Sequence, residues 1–253
     1  MLSHKITDYN ALAGGIVEWT KNAFSGFENA VLGISGGTDS TVVGKILVNA
    51  LGPDHVWGIF MPNGVQKDIS DAYAAAKATG ITNTIECNLG LSVEAAKMTV
   101  KSVVPKHELT LQADTNIVPR VRTAVEMGIA QCIPNSLVVC TGNLSELMMG
   151  YFTMWADMGS IAPIANLTKT EVRQLGLALG LPENLVMKTP SDGLSGISDE
   201  EKMGFSYEVI DSFIRGDLEN LSEGVRLALA ERMKKMEFKR KMIRIPSYNP
   251  VFG

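Results

Sequence analysis

The stretch Val31 to Leu47, VLGISGGTDSTVVGKIL, divides into three parts. Its opening, with Asn29 to Ile34, is a short apolar run of the kind that forms a buried strand. Its end puts Val42, Val43, Ile46, Leu47 and Ala50 on one helical face, and Gly52-Pro53 then stops the helix. Between them, Ser35-Gly36-Gly37-Thr38-Asp39-Ser40 has two adjacent glycines and three hydroxyls. Such a loop lets backbone N–H groups face an anion beside the positive end of the following helix, and phosphate is its natural guest.

Other readings of the loop compete. Glycines alone are also found in an ordinary strand-to-helix turn. A Walker-type loop requires a closing Gly-Lys-Ser/Thr, which is missing. Gly33-Ile34-Ser35-Gly36-Gly37 fits the G-x-S-x-G nucleophile elbow, but that chemistry needs a histidine late in the chain. The histidines are His4, His55 and His107, so no late base exists. The S-G-G-x-D-S spelling resembles the ATP pyrophosphatase superfamily, whose members cleave ATP between the α- and β-phosphates. That resemblance makes Gly33, Ile34, Ser35, Gly36, Gly37, Thr38, Asp39 and Ser40 the expected ATP-binding loop. A carboxylate would repel phosphate unless Mg²⁺ sat between them, so Asp39 is the first expected metal ligand.

The 253 residues suit one α/β domain with a helical extension, spanning 1–253 without a glutaminase domain. With 45% hydrophobic and 20% charged residues, the composition is that of a globular chain. A net charge of −4 argues against a nucleic-acid coat. No apolar run approaches a membrane span and the N-terminus lacks the apolar core of a signal peptide, so a cytoplasmic protein without membrane contact is expected. Cys87, Cys132 and Cys140 lack C-x-x-C spacing and read as reduced thiols, and three scattered histidines exclude a His-based zinc site.

Along the chain, a helix follows Asp8, with Leu12, Ile16 and Trp19 on its apolar side. Strands are expected at His55 to Met61, Thr82 to Cys87 and Ser136 to Cys140, with helices up to Gly80 and over Leu91 to Val103. This alternation predicts a doubly wound, mostly parallel α/β sheet with helices on both faces. Ligands of such sheets sit at the carboxyl ends of the strands, where strand order reverses. That picks out Ser35–Ser40, Pro62–Gln66 (with Gln66 as an ATP contact) and Thr141–Glu146.

Asn143 and Glu146 form a capping-box pattern, and spacing alone leaves a cap and a metal role equally open. The segment Thr141-Gly142-Asn143-Leu144-Ser145-Glu146 resembles the T-G-N-x-S-E of ammonia-dependent NAD synthetases. There the Glu is the second Mg²⁺ ligand and the Thr contacts ATP, roles that fall to Glu146 and Thr141. Asn116 to Arg122 is similar to the family's N-x-x-x-R-x-R helix start, whose first Arg (here Arg120) approaches the acid dinucleotide. Pro163 to Glu171 resembles a segment whose Lys, here Lys169, holds ATP phosphates; read on its own, Thr168 and Glu171 are a second capping box. Lys188 to Leu194 brings Ser191 to ATP by the same resemblance, and the Gly/Ser-rich run up to Ser198 has the composition of a lid. The Ser198 to Asp211 run also matches, and Phe238-Lys239 takes the place of a pair near the dinucleotide.

The sequence departs from the pattern on the second-substrate side. Phe60 stands in place of an Arg near adenine, Met154 in place of a dinucleotide-binding Lys, and the stretch after Asp157 is one residue short. The resemblance implies a C–N bond-forming ligase working as a homodimer on ATP, deamido-NAD and ammonia, with Asp39, Glu146 and Lys169 as its catalytic groups. The rival readings are a tRNA-modifying ATP pyrophosphatase and a nucleotide-binding regulator without turnover.

Overall fold

The computed structural model describes residues 5–66, 68–156, 158–188, 198–241 and 247–250. In chain order the elements begin with α1 (Tyr9–Ala23), β1 (Asn29–Gly33), α2 (Thr38–Leu51), β2 (Val56–Phe60), α3 (Ile69–Thr79) and β3 (Asn83–Glu86). Then come α4 (Gly90–Val103), α5 (Leu111–Gln131), β4 (Ser136–Val138), α6 (Leu144–Met149), α7 (Lys169–Ala178) and α8 (Glu183–Val186). The C-terminal part is helical: α9 (Asp199–Met203), α10 (Tyr207–Arg215), α11 (Glu223–Lys235) and α12 (Glu237–Lys241).

The four strands pair in parallel in the order β3-β2-β1-β4. Period-two alternation divides β1 between two cores. Ala30 and Leu32 face a layer built from α1, α2, α3 and α7, with Ile16, Val43, Ile46, Ala75 and Leu175 fully buried. Val31 faces the other layer, where Val93 of α4 and Val118 and Ala130 of α5 pack. A third cluster holds the helical extension: Met149 of α6 packs with Met203, Tyr207, Ile210, Leu229 and Met233. The architecture is therefore doubly wound α/β with a C-terminal helical extension, as the alternation predicts. None of the described helices is long and apolar enough to cross a membrane.

The helix termini follow local chemistry. Asp8 caps α1, accepting from the Asn10 and Ala11 N–H groups at 2.9 Å each. Gly80 closes α3 in the left-handed conformation. The Asn116-to-Arg122 segment is not a helix start. The helix begins at Leu111, where the Thr110 hydroxyl accepts from Ala113 N–H at 3.2 Å, and it runs through Pro119. Packing of its buried face outweighs the hydrogen bond that an interior proline loses.

The strand order reverses between β1 and β4, so the crevice at their carboxyl ends is the place where loops diverge. Beyond β4 the chain returns along the same edge: Ser160 N–H donates to Val138 O at 2.7 Å, and Val139 bridges Ile161. Gly159 is needed at this approach, because a Cβ there would lie 2.4 Å from Cys140 N.

Candidate active site

The loop after β1 closes on itself through its hydroxyls. Gly37 N–H donates to Ser35 Oγ at 3.2 Å, Ser35 and Ser40 hydroxyls share a hydrogen bond at 3.1 Å, and Ser40 Oγ donates to Gly37 O at 3.2 Å. Thr38 is turned away from the loop, its hydroxyl donating to Val186 O at 3.0 Å. Gly36 has φ +77°, and a Cβ there would stand 2.6 Å from Ala72 N and 2.7 Å from Asp71 C. Gly37 leads into α2, and no side chain caps that helix. Its first-turn N–H groups have no intrahelical acceptors, which suits an anion.

Asp39, in the first turn of α2, meets two other elements. Lys169 Nζ, from the first turn of α7, forms an ion pair with its Oδ2. Asn143 Nδ2, from the N-cap of α6, donates to its Oδ1 at 3.3 Å. Glu146 completes the group, with Oε1 4.0 Å from Lys169 Nζ. The capping box of α6 fixes Glu146: its N–H donates to Asn143 Oδ1 at 2.9 Å, and its Oε2 accepts from Asn143 N–H at 3.4 Å. Capping and site-forming are thus not alternatives for this residue. A carboxylate at N3 still has Oε1 free to point elsewhere.

Burial, then the negative charge of Asp39, pushes the Glu146 carboxyl up to about 8, while Lys169 opposes that rise. Burial also works against the Lys169 ammonium, but Asp39 and Glu146 outweigh it and its pKa lies above the ordinary lysine value. Lys169 is only 3% exposed and rests 5.5 Å from the centroid of the Tyr207 ring. Asp199 adds a third carboxylate to the same field and accepts from Tyr151 Oη at 2.9 Å. Lys169 thus stands in the combined field of Asp39, Glu146 and Asp199.

The remaining expected positions divide. Gly33 and Ile34 end the strand beneath the loop, Ile34 N–H donating to Ile59 O at 2.9 Å. Thr141 lies half-buried in the loop after β4, and Gln66 half-buried after β2. Arg120 is turned to the segment after α6, with Nε donating to Met154 O at 3.2 Å. Lys239 donates to Gly150 O at 2.7 Å and Phe152 O at 2.8 Å; burial, then Arg232, lowers its pKa. Phe238 is exposed. Arg120 and Lys239 therefore hold the same segment, 150–154, from two sides. Ser191, the lid expected up to Ser198, and Asp157 lie outside the described residues. Phe60 is buried edge-on against Tyr73, with ring centroids 4.9 Å apart.

Motif reading did not single out Asn143 as a partner of Asp39, nor Asp199, Tyr207 and Asp211 as neighbours of the cluster. The signal for the last two was present: Tyr207, Ile210, Asp211 and Ile214 share one helical face, and an acid in that stripe needs a buried partner.

Residues 15–243 match the family model described as NAD synthase. The NH(3)-dependent NAD(+) synthetase of Pyrococcus horikoshii is 36% identical over 260 residues, covering 96% of this chain and 97% of that one. Among solved structures, the NMN synthetase of Francisella tularensis superposes with a TM-score of 0.83 at 28% identity, covering 96% of this chain and all of that one. The NH3-dependent NAD synthetase of Campylobacter jejuni superposes at 0.74 and 26%, covering 94% and 99%. Sequence and fold agree, and the chain belongs to the NAD synthase family as a C–N bond-forming ligase of the NH3-dependent NAD+ synthetase type.

Proposed function

We propose that the protein amidates the nicotinate carboxylate of deamido-NAD with ammonia, at the expense of ATP. The observation that carries this reading is the buried Asp39–Lys169–Glu146 group set against an uncapped helix N-terminus at the β1–β4 crevice. ATP phosphates lie on the Ser35–Ser40 loop, with Gln66 and Thr141 around the nucleotide. The substrate carboxylate attacks the α-phosphorus, pyrophosphate leaves along the loop N–H groups and Lys169, and ammonia displaces AMP from the mixed anhydride. Adenylation activates the carboxylate, so no side-chain nucleophile is needed.

The donor set fits Mg²⁺. No group of three His, Cys, Asp or Glu residues gathers for a metal among the described residues. Two carboxylates completed by substrate phosphates are the usual holding for this ion, and Asp39 and Glu146 both approach the same Lys169 ammonium, which brings their oxygens to one place. Asp39 and Glu146 would hold it; when bound, it supplies charge stabilisation on the phosphate oxygens.

A homodimer is part of the proposal. Leu91 and Met98, two turns apart on α4, and Leu111 at the start of α5 are 89%, 68% and 83% exposed, which a second copy would cover. Sedimentation of the Met98→Glu, Leu111→Glu variant should then give a monomer; an unchanged dimer would move the interface elsewhere.

A second reading of the acid substrate is favoured by one observation, the superposition on an NMN synthetase, joined by the loss of a cation at Met154. Purified protein with Mg-ATP and ammonium should convert deamido-NAD to NAD with AMP and pyrophosphate. Preference for the acid mononucleotide would select the second reading. Release of ADP would remove the mechanism, and no turnover with either acid would leave a nucleotide-binding regulator.

A further inference from the structure

We propose that Asp211 is a positioning residue that sets Lys169 and Glu146 against each other. The proposal rests on the reading of those two groups as the working ones. Asp211 lies on the buried face of α10, 4% exposed, among Tyr207 and Ile210. An acid there costs desolvation that a leucine would not, so what it holds matters. Its Oδ1 accepts from Ser145 Oγ at 2.5 Å, and its Oδ2 accepts from Thr170 N–H at 2.8 Å. Ser145 Oγ in turn accepts from Lys169 N–H at 2.9 Å.

One carboxylate thus binds the first turns of α6 and α7 together, and the residues adjoining its two contacts are Glu146 and Lys169. The first-turn N–H groups of α7 lack intrahelical acceptors, and the Ser145–Asp211 pair supplies them: Ser145 Oγ for Lys169 and Asp211 Oδ2 for Thr170. Ser145 is fully buried and is the only link in the bridge between the α6 turn and Lys169 N–H among the hydrogen bonds described. Tyr207, one helical turn before Asp211, lays its ring beneath the Lys169 ammonium. On the other side of the α7 N-terminus, Glu171 accepts from Thr168 N–H at 2.8 Å and is held by Arg215 at 2.7 and 2.6 Å. That second clamp fixes where α7 begins. The Asp211 bridge fixes its distance from α6, and therefore how far Lys169 Nζ stands from Glu146.

The test uses the full chain and two readouts on Asp211→Ala, Asp211→Asn, Ser145→Ala and the Asp211→Ala, Ser145→Ala double variant. The first readout is the rate at which acetic anhydride labels Lys169, resolved by mass spectrometry, with ion-paired Lys97 as internal reference. Lys169 labelling should rise about fivefold or more in the alanine variants while Lys97 keeps its rate, since the amine is otherwise sequestered by its ion pair. The second is ATP-dependent AMP release. Its kcat should fall about tenfold or more with KM for ATP within about threefold, because a small misplacement acts on the reaction step more than on binding. The double variant should match the worse single one, since both cut one bridge. Asn, which keeps an acceptor for Thr170 N–H, should recover part of the loss. Unchanged Lys169 labelling, a parallel rise at Lys97, or kcat within about twofold of wild type would each overturn the proposal. If Asp211→Ala does not fold, Ser145→Ala, which removes a single oxygen, decides it alone. If the wild-type protein releases no AMP, the proposed function fails, and the labelling still decides whether Asp211 positions Lys169.

Discussion

Gly36→Ala isolates the phosphate loop from everything else in the site. Two costs add. Alanine at φ +77° enters the left-handed region, which for an L-residue costs about 1–2 kcal/mol. The new Cβ would also lie 2.6 Å from Ala72 N and 2.7 Å from Asp71 C, both backbone atoms at the start of α3. Ordinary contact needs roughly 3.4 Å or more, so loop and helix must part by about 0.8 Å, an overpacking cost of about 1–3 kcal/mol. The sum is about 2–5 kcal/mol, a large part of a domain's stability. Because Gly36 leads directly to Gly37 and Asp39, the shift also reaches the proposed reacting groups, where a misplacement of about 1 Å costs on the order of 100-fold. Urea denaturation gives the first number and AMP release at saturating substrate the second. Gly14→Ala is the control: it lies on an open face of α1 with nothing within 4 Å of its Cβ, and should stabilise by about 0.5–1 kcal/mol. A Gly36→Ala protein with wild-type stability and turnover would refute both the strain and the role of the loop.

Other outcomes are open to measurement. Asp39→Asn and Glu146→Gln should each retain the fold and lose turnover by about 100-fold or more, with Mg²⁺ dependence shifted to higher concentration; near-normal turnover of either would remove it from the ligand set. Arg120→Ala should raise KM for the acid nucleotide about tenfold or more and leave KM for ATP within about threefold, because it releases the Met154 carbonyl and with it the segment proposed to face that substrate; equal rises in both would show that the effect is not confined to that segment. Arg215→Ala should cost about 3–5 kcal/mol in urea denaturation, because Glu171, with 7% of its side chain exposed, loses its bidentate partner; a loss under about 1 kcal/mol would show the pair to be solvated.

The sheet was legible because its signals are local. Apolar runs at Asn29–Ile34 and His55–Met61, punctuated by Gly-Gly and Pro-Asn-Gly, left few ways to fold, and the observed strands start or end within a residue or two of them. The capping boxes at Asn143 and Thr168 were equally readable and are present. The start of α5 was misplaced because the resemblance put a helix start at Asn116, while the true N-cap, Thr110, precedes a first turn led by an exposed leucine. In the candidate site, Asp39, Glu146 and Lys169 come from motifs whose residues sit at helix first turns, and the structure brings them together. Asp199, Tyr207 and Asp211 belong to a matching run too, but their place beside the cluster comes from α9 and α10 packing back on α6 and α7, and no spacing rule encodes that contact.

The two halves of the proposed site are therefore held by different physics. On the proposed ATP side the groups are fixed by helix first turns: Asp39 by α2, Glu146 by α6, Lys169 by α7, each with its backbone set by its helix. Charges held this way need little reorganisation during reaction, which is the condition for electrostatic catalysis. On the acid-substrate side, the corresponding cations act on the protein itself. Arg120 grips Met154 O, and Lys239 grips Gly150 O and Phe152 O, so the segment after α6 is shaped by the groups that would otherwise face substrate. A cation spent on a backbone carbonyl contributes less to binding an anion, and Met154 contributes none. Selectivity for the acid substrate must then come from the shape of that clamped segment more than from charge count. Exchanging Met154 for lysine would add charge without moving the clamp, and so would test which of the two governs.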